Sequence, residues 1–219
     1  MPEPAAPSEL PLFLLNAVLF PGATLPLRVF EPRYRQMVDF CMERDRTFGV
    51  LLIRSGQEVG GPAEPYTVGT MARIEQVEHQ ADGTSLLLTV GVQRFQLLGM
   101  IDWQPFSLGA VEYLTEYEEP AVEGELVVSV EQRALRCIQL LLALNGEWVR
   151  RWQFPVDGPA LSYLVAARLA MSLSTKQQLL EAPNAKRRLE LELPLLEEQQ
   201  ETLWQRLMET MWLRSANLN

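Results

Sequence analysis

Histidine occurs once in these 219 residues, and cysteine and lysine twice each. An ordinary zinc site takes four Cys or His ligands, and the three present, Cys41, His79 and Cys137, lie far apart in the chain, so no metal centre is expected. Both cysteines fall on the apolar side of segments with helical period. They read as buried thiols instead of a disulfide or a ligand pair, which suits a reducing cytoplasm. A phosphate-binding loop needs a lysine directly before a magnesium-binding hydroxyl, but Lys176 precedes Gln177 and Lys186 precedes Arg187. Both lysines stand at charged helix starts and read as solvated, whereas a catalytic lysine must be desolvated. His79, beside an Asp-Gly turn, reads as a solvated hairpin residue and not a general base.

Long apolar runs are missing too. None approaches the ~20 residues that cross a bilayer, and residues 1–9 carry acids and prolines where a signal peptide has a basic end. Positive charge is scarce: 19 Lys and Arg face 28 Asp and Glu, for a net charge of -9. With a pI near 4.8, that balance opposes attraction to phosphate backbones or anionic lipid. The absences disfavour an enzyme, a metalloprotein, a membrane protein and a nucleic-acid binder, and no cofactor is expected. Paired carboxylates stay open, because a sequence does not place acids in space. The run Glu116, Glu118, Glu119, Glu123 and Glu125 reads more simply as a solvated linker.

What is present is a globular composition, 47% hydrophobic and 21% charged. From Val68 to Gly99 the pattern is a β-hairpin: Thr70, Ala72 and Ile74 alternate with Met71, Arg73 and Glu75, and Asp82-Gly83 supplies the turn. The returning strand points Leu86, Leu88, Val90 and Val92 to one side, then shifts parity to Phe95 and Leu97, which predicts a bulge or corner beside Gly91. Upstream, residues 10–15, 18–20 and 24–29 read as strands, a helix opens at Pro32 with Tyr34, Met37, Val38 and Cys41 on one stripe, and residues 47–54 form an apolar strand. Residues 55–65 read as a Gly and Pro loop, and residues 106–114 as a further strand.

Past the acidic run the period becomes helical. Leu126, Val130, Ala134, Cys137, Leu141 and Leu144 share a face that Asn145-Gly146 ends. Further helices are predicted over 159–171, from Ser174 with Ser-Thr-Lys-Gln as a capping box, and from an Asn184 cap onward. Pro194 lies inside the last and is expected to kink or split it. The fold class is therefore α+β: a disordered tail over 1–9, a β-rich partial barrel with one helix over 10–115, an acidic linker over 116–125 and an α-helical bundle over 126–219.

The segment VGTMARIEQVEHQADGTSLLLTVGVQRFQLLG resembles the N-terminal domain of Lon proteases, where a Val-Gly-Thr-x-Ala-x-Ile start, an Asp-Gly-Thr turn and an Arg-Phe strand occur in this order. LPLFLLNAVLFPGATLPLRVFEPRYRQMV is similar to stand-alone bacterial members of that family, which carry the domain without the ATPase and protease, and SLSTKQQLLEAPNAKRRLELELPLLEEQQ is similar to its helical end. The resemblance spans roughly residues 10–200, with Pro194 a departure from the pattern. It implies a PUA-like β subdomain followed by helices, and a cytoplasmic, non-catalytic module that binds polypeptide, since the family's domain helps select substrates for the attached protease. Unfolded or tagged polypeptides or a specific protein partner are the partners implied, in an adaptor or client-binding role. The alternative carried by PUA-like folds is RNA or small-ligand binding.

The residues themselves offer three candidate partner-binding groups. Phe30, Arg33 and Tyr34 combine aromatics and charge at a strand-to-helix junction, and read either as a recognition surface or as packing for the helix. Trp148, Trp152 and Phe154 crowd a connector, either tucked under it or offered to a partner. Trp204 and Trp212, with Met208, line the end of the last helix, where they serve either the core or a homodimer contact.

Overall fold

The computed structural model describes residues 8–58, 63–102, 105–115, 122, 124–155 and 157–216. The strands among them are β1 (Ser8–Leu15), β2 (Thr24–Val29), β3 (Thr47–Gly56), β4 (Ala63–Pro65), β5 (Val68–His79), β6 (Ser85–Asp102) and β7 (Leu108–Tyr113). The helices are α1 (Pro32–Met42), α2 (Gly124–Leu144), α3 (Gly158–Arg168), α4 (Leu173–Glu181) and α5 (Ala185–Ala216). Contacts divide the chain into two units, Met1–Thr115 with Ser172–Glu181, and Glu116–Met171 with Ala182–Asn219.

In the first unit β1 pairs antiparallel with β7 and parallel with β3, and the antiparallel pairs β3–β5, β5–β6 and β6–β7 complete a ring of five strands. The ring closes what reads in the sequence as a partial barrel, because β1 bonds along both edges. β2 adds to the near half of β6 and β4 to the far half of β3. α1 lays Tyr34, Met37, Val38 and Cys41 onto a core with Phe13, Phe48 and Ile74. Burial pushes the Cys41 thiol up to about 12, so at neutral pH it acts as a small apolar group.

The hairpin residues that carry the family resemblance hold this barrel together. Phe95 is wholly buried against Gly49 and Gly69, where added Cβ atoms would lie 2.7 and 2.8 Å from its ring, so neither position has room for a side chain. Thr70 Oγ1 donates to the Leu19 carbonyl at 2.6 Å. In the turn, Gly83 has φ +79°, and the Thr84 N–H and hydroxyl both donate to Asp82 Oδ1, which lowers the Asp82 pKa. The register slips between Met71 and Ala72, opposite Gln93 and Gly91, which leaves Val92 as the bulged residue beside Gly91. A Cβ on Gly91 would meet the Phe20 carbonyl oxygen at 2.3 Å. Because the inward face is this tight, Ser85, Leu87, Thr89 and Gly91 point in, while Leu86, Leu88 and Val92 are exposed.

Several expectations change. Residues 18–20 form no strand, although Leu19 and Phe20 are buried. Ser8 and Glu9 join β1 through Val111 and Ala110, and the rest of the proposed tail lies outside the described residues, as does most of the acidic linker. β4 emerges from the stretch read as a loop. The cap of α4 is Ser172, whose Oγ accepts the Thr175 N–H at 3.1 Å. Gln177 is not part of a capping box: it is buried, and its amide donates to the Val68 carbonyl at 3.0 Å and to Glu181. The buried Arg94 donates to the Leu180 carbonyl at 2.7 Å. These two bonds explain why α4, amid the helices in sequence, groups with the strands. Lys176 is half-buried, and burial lowers its pKa.

In the second unit α2 ends as its sequence suggests, with Gly146 at φ +80° and the Glu147 N–H on the Leu142 carbonyl. Asp157 caps α3 through Ala160 N–H, and Asn184 caps α5 through Arg187 N–H, each at 2.8 Å. α5 is one uninterrupted helix through Pro194, so the proline does not split it. Gly158 lies against Val122 and Leu189, near the starts of all three helices, while Ile138, Arg168 and Gln199 line one cleft further along. The three helices therefore run in the same direction. The seam between them is apolar, from Val130 and Leu161 to Leu196 and Leu203, except for Arg188, bonded to Ser162 Oγ and Tyr163 Oη, and the enclosed Glu192.

Candidate functional site

The barrel's ring comes apart at one place. β4 runs antiparallel along β3 ahead of β5, so the two act as one strand on that side. On the other side β5 meets β6 only from the Val68–Gln96 pair onward. The last contact is the Leu97 N–H to the Thr67 carbonyl at 2.7 Å. Past it, β6 pairs with β7 alone and β4 with β3 alone, so among the described residues each keeps one edge without a strand partner.

Between these edges lies an open groove of about 530 Å³, lined by Ser55, Gly56 and residues 63–65 on one side and Leu97, Leu98, Gly99 and Met100 on the other. Leu98 is 55% exposed, and Gly99 has empty space where a side chain would stand. An extended chain is the natural occupant of such a place, since strand edges supply backbone hydrogen bonds and the apolar lining takes alternate side chains. None of this was read from the sequence. Its one signal was the departure of Leu97 and Leu98 from strict alternation in a strand that outruns its hairpin partner.

The sequence-based candidates are not among the residues that line this groove, and they are divided between the two units. In the first unit Phe30 is exposed, but Tyr34 is buried with its ring 3.9 Å from that of Phe13, and burial raises its pKa against the opposing effect of Arg33. Arg33 lies over the Tyr34 ring, bonds Glu31 and donates to the Glu58 carbonyl. In the second unit Trp148 is 86% exposed, Trp152 flanks an apolar cleft, and Phe154 packs partly buried on the helical core. Trp204 is exposed with Arg136 5.8 Å from its ring, and Trp212 is 69% exposed. His79 Nδ1 lies 3.0 Å from Ser85 Oγ. Among the described residues there is no cluster of three His, Cys, Asp or Glu suited to a metal, and no helix is long and apolar enough to cross a membrane.

Residues 9–198 match the family model of the ATP-dependent protease La (LON) substrate-binding domain. The Lon protease of Paraburkholderia phytofirmans is 34% identical over 194 residues, covering 85% of this chain and 24% of its own length. That of Anaeromyxobacter dehalogenans is 29% identical over 202 residues, covering 90% and 24%. The chain thus spans about a quarter of the length of these relatives. Among solved structures, a Lon N-terminal domain protein from Xanthomonas campestris superposes with a TM-score of 0.65 at 29% identity, over 84% of this chain and 95% of that one. The N-terminal domain of Mycobacterium avium complex Lon protease gives 0.59 at 19% identity over 87% and 98%, a likeness of fold alone. With a family model matched along most of its length and the same fold in a relative of 29% identity, this chain belongs to the LON substrate-binding domain family.

Proposed function

We propose that the chain is a non-catalytic module that holds extended polypeptide, in the manner the family's description implies, and that it does so in the cytoplasm as a client-binding or adaptor protein. The observation that carries this reading is the groove between the unpaired edges of β4 and β6. A segment laid along the β6 edge would gain main-chain hydrogen bonds whatever its sequence, and its apolar side chains would meet Leu97, Leu98 and Met100. That combination tolerates many clients. The scarcity of lysine and histidine and the family match to a substrate-binding domain both support a role without catalysis.

The test is anisotropy of a labelled, reduced and carboxymethylated polypeptide titrated with the protein and with its Leu98→Asp/Gly99→Asp variant. Both positions open onto solvent, so the variant should fold. Saturable binding weakened about tenfold or more is expected, the scale of one lost apolar anchor plus a misplaced charge. Equal affinity in the folded variant would remove the groove from the proposal.

A further inference from the structure

The helical unit carries a second surface with its own chemistry, independent of the groove. After Gly146 the chain leaves α2 and is pinned back onto it by Gln139 Nε2 donating to the Val149 carbonyl at 3.5 Å. Residues 150–153 are then all exposed, and Trp152 forms one wall of a cleft whose other walls are Ile138, Leu141, Leu164 and Leu169. The free space inside is about 50 Å³. On a scale where ~10–15 Å³ holds one water, that admits one aliphatic side chain.

The charged residue on the lining of this cleft is a cation. Arg168 lines it, and Arg150 and Arg151 stand immediately before Trp152. Among the described residues none of the three has a carboxylate or hydrogen-bond partner, although the chain has nine more acids than bases and Arg28, Arg33, Arg54, Arg73, Arg133 and Arg187 are all ion-paired. One guanidinium on the lining of an aliphatic slot, with two more on the exposed connector that forms its wall, is complementary to carboxylates flanking an apolar residue. We infer that the Trp152 cleft, with Arg168 on its lining and Arg150 and Arg151 on the connector leading into it, is a docking site for an acidic peptide segment that inserts one aliphatic side chain. The aliphatic lining and the small number of cations favour such a peptide over a nucleic acid, whose backbone needs many more phosphate contacts.

The probe is a fluorescein-labelled peptide with one leucine flanked by glutamates, compared with its Glu→Gln and Leu→Ser counterparts and with an oligouridylate, at low and physiological salt. The proteins are the full chain, Arg150→Glu/Arg151→Glu, at two exposed positions, Trp152→Ser, and the groove variant Leu98→Asp/Gly99→Asp. The inference expects salt-sensitive binding of the acidic leucine peptide, about tenfold weaker for either control peptide and for either cleft variant, and unchanged in the groove variant. Four results would overturn it: no saturation at millimolar protein, equal affinity for the Gln peptide, unchanged affinity in the folded charge-reversal variant, or tighter binding of the oligouridylate. A loss confined to the groove variant would assign the peptide to the β unit and likewise end the proposal.

Discussion

Glu192 is fully enclosed on α5, and among the described residues neither carboxyl oxygen has a hydrogen-bond partner. Arg188, one turn earlier, is the cation nearest it in sequence, but Arg188 gives two of its bonds to Ser162 and Tyr163 of α3. Burial raises the Glu192 pKa well above the usual carboxylate range, and the attraction of Arg188 offsets only part of that. A carboxyl whose folded pKa exceeds its unfolded value contributes fully while protonated in both states, and that contribution is lost as pH rises through the folded value. Glu192→Gln does not titrate. It should therefore gain on the native protein as pH rises from 5 to 8. Urea unfolding at both pH values reads this directly, and an identical difference at the two would show that Glu192 is ionised in the fold without cost. Residues of this kind were illegible in advance. The sequence shows an acid in an acidic helix, and only the packing of α5 within the helical unit makes it buried. Legibility ran the other way for Gly69, Thr70 and Phe95, which stand in the motifs that carry the family resemblance, although Thr70 bonds Leu19 and Phe95 packs on Gly49 outside the hairpin.

Elements were legible where one segment contains its own reasons. The Asp82-Gly83 turn, the bulge beside Gly91, the Gly146 stop and the Asn184 cap each need only a few neighbours in sequence, and each is where the pattern put it. β4 and the placement of α4 depend on partners far along the chain, so a loop and a capping box were the reasonable local readings. Pro194 lies between. Its missing N–H leaves the Glu190 carbonyl without an intrahelical donor, yet α5 continues because its apolar seam is buried on both sides of the proline. Pro194→Ala restores that donor and should stabilise the protein, by up to ~3 kcal/mol if nothing repacks. A lower melting temperature for the variant would mean that the proline ring's own packing in α5 is worth more than the restored bond.

At the scale of the whole molecule neither unit is a continuous stretch of chain, because Ser172–Glu181 belongs with the strands. A protein cut after Thr115 would lack the Leu180 carbonyl that receives Arg94 and the Gln177 amide that bonds Val68. Such a fragment should melt well below the β unit of the intact chain, and restoring residues 172–181 through a short linker should recover the difference, both read by hydrogen exchange on β5 and β6. Equal protection in the truncated fragment would make α4 an accessory. The two-part α+β plan was visible in the change of period near Leu126, but this exchange of a helix was not, since no periodicity records which core a short amphipathic helix joins.

The same interleaving sets a timetable during synthesis. Arg94 leaves the ribosome 86 residues before the carbonyl it will bond, a gap of roughly 4–17 s at ~5–20 residues per second. Through that interval the finished hairpin must keep a buried guanidinium waiting, with α2 and α3 already made and α5 still to come. A nascent chain stalled in that window offers a chaperone the part of the barrel around Arg94 and Val68 that α4 will bond, and synonymous codons that slow translation just before Ser172 would lengthen the exposure without changing a single residue of the product.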